Sequence, residues 1–130
     1  MRQTREQQRA QTVFSQLQQI KSQESESVKE EYGRRCMSFP AFLHACGLCQ
    51  AISFYQSKSG NEGKKKAYKL YLSNLAKALL NSSDTERLAK EVREADLPKY
   101  QHLTREAMAL GNWYKRYAEA VLDAEPGSGD

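Results

Sequence analysis

Cys46-Gly47-Leu48-Cys49, with His44 just upstream, holds the residues best equipped for chemistry in this chain. A C-x-x-C pair serves thiol-disulfide exchange or zinc binding, and a nearby histidine is a further ligand or a base. The apolar pattern around it places the motif inside a helix running from Pro40 to about residue 57. On such a helix Cys46 and Cys49 lie about 60° apart, on the side of Phe42 and Ser53, and His44 points about 160° from Cys46. The histidine and the cysteine pair therefore do not share a metal. Cys36 would add a third thiol, but no fourth ligand stands at a zinc spacing. The redox reading needs a cysteine that opens a helix after a strand, where free backbone N–H groups stabilise a thiolate. Cys46 lies well past Pro40 with no strand before it. The expected role of the cysteines is packing in a core helix.

No other catalytic constellation stands out. His102 has no nucleophile motif beside it, and the phosphate-binding glycine loops and the H-E-x-x-H zinc motif are absent. Paired acids such as Glu30-Glu31 fall in charged helical stretches. The expectation is no catalytic residue, no metal site, no cofactor and no small-molecule substrate.

Helical spacing dominates the elements that would position any site. Ala10, Val13, Phe14, Leu17 and Ile20 make residues 3 to 21 an amphipathic helix. A second helix runs through Val28, Tyr32 and Cys36, and Ser38-Phe39-Pro40 should end it and open the central one. Residues 57 to 63 read as a loop and 64 to 81 as a helix with Tyr68, Leu72, Leu75 and Leu79 inward. Ser83 with Glu86 has the form of a capping box for a short helix to about Glu94. Asp96-Leu97-Pro98 then starts the longest helix, with Leu103, Ala107, Leu110, Tyr114, Tyr117 and Val121 as its stripe. The predicted fold is all-α, a single compact bundle of about six helices over residues 1–124, followed by a disordered acidic tail at 125–130.

The chain has 130 residues, 39% hydrophobic and 28% charged, enough for one core without disulfide or metal staples. No apolar run reaches membrane-spanning length and the first residues lack the apolar core of a secretory signal, so a cytoplasmic protein with no membrane partner is expected. Three cysteines suit a reducing compartment.

The formal charge of +4 is modest but unevenly spread. Bases gather at residues 2–9, 34–35, 58–69 and 115–116, and acids at 84–96 and 123–130. Arg2, Arg5 and Arg9 lie on the line that Val13 and Ile20 continue. Either this end of the helix overhangs the bundle and meets an anion, or Arg5 and Arg9 pair internally, with Glu106 as a candidate partner. Lys64-Lys65-Lys66-Ala67-Tyr68-Lys69-Leu70-Tyr71 and Trp113-Tyr114-Lys115-Arg116-Tyr117 interleave cations with aromatics, a mixture that suits nucleic acid. Periodicity puts Tyr68, Tyr114 and Tyr117 in the core, leaving the cations and Tyr71 or Trp113 as contacts. Arg34 and Arg35 join the candidates from the charge map.

Thr4-Arg5-Glu6-Gln7-Gln8-Arg9-Ala10, Glu31-Tyr32-Gly33, Phe39-Pro40 with Gly47-Leu48 and Gln50-Ala51 occur in this order. Tyr100, Thr104, Glu106-Ala107, Trp113, Lys115-Arg116 and Ala118 follow. Together they resemble the small subunit of the type III-B CRISPR effector, the Cmr complex. The resemblance implies a non-catalytic all-α subunit that stacks with copies of itself and with larger Cmr subunits along a guide RNA and its target RNA, in antiviral defence. It also implies that Arg5, Arg9, Lys115 and Arg116 stand where the family carries cations. Such a protein needs only backbone contacts, because base pairing reads the sequence. The alternative is a helical scaffold that touches only protein, its acidic segment at 84–96 meeting the basic segment of a neighbour.

Overall fold

The computed structural model describes residues 2–125, and among them six α-helices and no strand. They are α1 (Arg5–Gln23), α2 (Glu26–Cys46), α3 (Leu48–Ser57), α4 (Gly63–Leu80), α5 (Thr85–Glu94) and α6 (Leu97–Val121). The all-α architecture is as the periodicity predicts. The expected acidic tail lies, from residue 126 onward, outside the described residues.

Local chemistry sets most of the helix starts. The Thr4 hydroxyl accepts the Gln7 N–H at 3.0 Å and the Gln7 side chain accepts the Thr4 N–H at 2.8 Å, a reciprocal box that opens α1. Ser25 caps α2 and Asp96 caps α6 with Pro98 in its first turn. At α5 the expected box is replaced: the Asp84 carboxylate, not Ser83, accepts the Glu86 and Arg87 N–H groups at 3.0 and 3.2 Å. An ionised acceptor at the positive end of the helix outcompetes a neighbouring hydroxyl.

The largest departure is in the middle. No helix ends at Pro40; α2 runs through it and stops at Gly47, whose φ of 85° suits only glycine without strain. A proline inside a helix forfeits one backbone bond and costs about 3 kcal/mol, so packing must offset it. Gly111 of α6 supplies that packing. A Cβ placed there would sit 3.4 Å from Pro40 Cγ and 3.6 Å from Phe39 Cδ2, so its bare backbone lets the proline ring lie against α6.

α2 packs on α4 and α6, and α1 on α6. The centre is aromatic: Tyr32, Phe39, Tyr55, Tyr71 and Tyr114 are fully buried, with the Tyr71 ring 5.0 to 5.9 Å from the other four. Tyr71 is thus a core residue, and its expected place at a contacting stripe edge is wrong. Cys36 is also buried, and burial pushes its thiol well above the ordinary range. In α6 the stripe shifts by one position at its end: Ala118 is fully buried and Tyr117 half-buried.

Candidate nucleic-acid interface

The cysteine motif does not sit inside one helix. Cys46 is the exposed last residue of α2, Gly47 breaks the chain direction, and Cys49 is the half-buried second residue of α3. The angular argument for a continuous helix therefore fails, and Cys46 has no core role. Tyr100 of α6 ties the break down, its hydroxyl accepting the Cys49 N–H at 3.0 Å. His44 is exposed. Among the described residues no group of three or more His, Cys, Asp or Glu side chains is placed to hold a metal ion.

The cationic candidates separate into three environments. Arg35 is only 2% exposed, so its expected place on a basic surface is wrong. Its guanidinium lies 4.5 Å from the centre of the Tyr68 ring, donates to the hydroxyl of Tyr68 and approaches Glu31 at 3.9 Å. The signal was legible in the sequence: Arg35 follows Val28 by seven residues and Tyr32 by three, the spacing of one buried helix face. The charge map outweighed it because arginine is so seldom buried.

A second group is engaged in ion pairs at the surface. Glu106 receives Arg9 at 2.6 Å and Arg5 at 3.1 Å, joining the start of α1 to α6. The Arg9 hydrogen bond, and after it Arg5, holds the Glu106 carboxyl below the usual carboxylate range against the opposing effect of burial. The internal arm of the alternative is the one the fold realises: Arg5 and Arg9 both pair with Glu106, although residues 2–8 are all exposed. Arg34 pairs with Glu30 at 3.1 Å and Lys66 with Glu24 at 2.9 Å. Lys69 is exposed and donates to Asn61 Oδ1 at 3.2 Å.

The third group is unneutralised. Lys64, Lys65, Lys115 and Arg116 are exposed, and none has an ion-pair partner among the described residues. Lys64 to Lys66 occupy the first turn of α4, where no acid is present and Glu62 makes no side-chain cap. Cations at that positive helix end cost about 0.3 to 1 kcal/mol each. The loop before them is folded back, with the Gly60 N–H donating to the Lys65 carbonyl at 3.0 Å.

Among the described residues the molecule is an all-α bundle whose surface presents unpaired cations and half-exposed aromatic rings, and its thiols are not gathered into a metal site. Residues 5–121 match the model of the CRISPR-associated protein family Cas_Cmr5, and the chain belongs to that family. It is similar to the CRISPR system Cmr subunit Cmr5 of Thermus thermophilus, 36% identical over 93 residues, which are 72% of this chain and 76% of the relative. It also superimposes on the crystal structure of a CRISPR-associated Cmr5 family protein from Thermus thermophilus. That match has a TM-score of 0.80 and 32% identity, and covers 93% of this chain and 99% of the other.

Proposed function

We propose that this chain is a non-catalytic subunit of a cytoplasmic type III-B Cmr complex, partnered by the larger subunits and by copies of itself, and that it contacts guide and target RNA through its unpaired cations. The family assignment supports the complex. The RNA contact is carried by one observation: Lys64 and Lys65 stand unneutralised at the positive end of α4, where they oppose folding. An anionic partner offsets that cost. Lys115 and Arg116 extend the same surface chemistry on α6. Arg5, Arg9, Arg34, Lys66 and Lys69 contribute less, because each already has an internal partner. Arg35 contributes nothing directly.

Phosphate contacts of this kind are independent of sequence and weaken with salt. Repeated on adjacent copies, they add through effective concentration. The test is RNA protection by the assembled complex carrying K115A/R116A or K64A/K65A. Protection should fall, with a shallower salt dependence; unchanged protection sinks the RNA reading. The scaffold reading then remains, but with a smaller acidic face, because Glu91 is already shared between Arg87 at 3.5 Å and Lys99 at 3.8 Å. Glu94 is the acid still free to meet a neighbour.

A further inference from the structure

Phe14 belongs by spacing to the apolar stripe of α1, yet it is 39% exposed. It is not isolated. Its ring meets Tyr117 of α6 edge-on at 5.4 Å and 68°, and Tyr117 stacks on Trp113 at 5.4 Å and 24°. Three aromatic rings therefore line the outer side of the α1 and α6 seam, with Trp113 and Tyr117 half-buried and Phe14 open to solvent.

A cation borders this strip on α6. Arg116 follows Trp113 by three residues and so borders it on the surface of α6. Lys21 follows Phe14 by seven residues along α1, but it lines a surface hollow with Glu26, Glu30, Asp123 and Glu125, which balance its charge. Arg116 is exposed and unpaired among the described residues. From residue 10 to residue 23, α1 contains no acid at all. Glu106, the acid on the same flank of α6, is occupied by Arg5 and Arg9, and Glu119 is exposed with no ion pair to Arg116.

We infer that Phe14 and Trp113 form a stacking platform for an unpaired RNA base, with Arg116 taking the adjoining phosphate. The inference rests on the RNA-contacting reading above and adds a second mode to it, selective for single strands. Lys64 and Lys65 meet any phosphate backbone, whereas a ring can stack on a base only when the base has left its own stack.

Trp113 is the one tryptophan of the chain, so its emission reports the platform directly. The full chain at low salt is titrated with a short oligouridylate and with an RNA duplex of equal length, following both filter retention and Trp113 emission. The single strand should quench Trp113 in step with its retention, and the duplex should be retained without quenching. Phe14→Leu, which keeps apolar bulk but removes the π face, should weaken single-strand binding about tenfold and leave duplex binding unchanged, with only a small fall in melting temperature from the lost ring contact to Tyr117. Phe14→Tyr should restore it. Single-strand retention with unchanged emission and an indifferent Phe14→Leu variant would overturn the platform while leaving the backbone contacts standing. Retention of neither RNA also overturns it, and the K115A/R116A complex then decides the wider reading separately. A change in Trp113 emission on adding partner subunits without RNA would assign the strip to protein instead.

Discussion

The start of α1 and the start of α4 carry similar positive charge to opposite ends. On α1 a single carboxylate from a distant part of the chain, Glu106, gathers Arg5 and Arg9 into a clasp. On α4 only Lys66 finds an acid, Glu24, and Lys64 and Lys65 face solvent against the helix dipole. Arg35 is a third case, a cation taken wholly inside. A cation's role in this protein follows from where the nearest carboxylate or ring is placed by the fold, and residue type alone does not decide it.

The largest effect is expected where the charge is deepest. Arg35→Ala takes from the Tyr68 hydroxyl its donor and from Glu31 its buried partner, leaving Glu31 only Arg34 at 3.8 Å, and should destabilise the fold by about 3 kcal/mol in urea unfolding. A loss under about 0.5 kcal/mol would put Arg35 among the surface cations after all.

The clasp should matter less. Glu106→Gln is expected to cost about 1 kcal/mol near neutral pH. Because the folded-state carboxyl of Glu106 titrates lower than its unfolded counterpart, its contribution is present above the usual carboxylate range and fades as pH falls through the depressed folded value. The difference between wild type and Glu106→Gln should therefore shrink on acidification, as thermal melts across that range would show. A constant difference would mean the clasp holds by packing alone.

The smallest change, and the one that sharpens the comparison most, reverses sign. Lys64→Glu with Lys65→Glu removes two unfavourable cations and places acids at the positive end of α4, and should stabilise the chain by at least about 0.6 kcal/mol, while the assembled complex loses RNA protection. A variant that is both more stable and fully active would remove the reason offered for those lysines. At the junction of α2 and α3, Gly47→Ala should cost about 1 kcal/mol, since a methyl group there is strained by the positive φ, although Tyr100 Oη at 3.7 Å leaves it room.

Much of the fold was legible because it depends on neighbours in sequence. Thr4, Asp96 and Pro98 mark helix starts through their own backbone chemistry, and most of the stripes of α1, α4 and α6 follow from spacing, although Phe14, Leu79 and Tyr117 are less buried than expected and Tyr71 more. Pro40 was misread because its local penalty is real but is offset by Gly111, far along the chain and brought against the proline ring only by folding. The same error displaced the cysteines: once Gly47 is the break, Cys46 and Cys49 belong to different helices. The candidate interface was only half legible. Exposure of Lys115 and Arg116 follows from their angle on α6, but the aromatic strip requires Phe14 to meet Tyr117, and no pattern within α1 shows that it stays open.

By itself, then, the sequence determined the helical class, most of the inward stripes and the clustering of charge, because these rest on interactions within a few residues. Only the tertiary structure decided which helix continues through a proline, which arginine is buried, and which cations are cancelled by Glu24, Glu31 and Glu106. Those outcomes depend on pairs far apart along the chain, and a Coulomb interaction or a packing contact exists only once folding has set the distance.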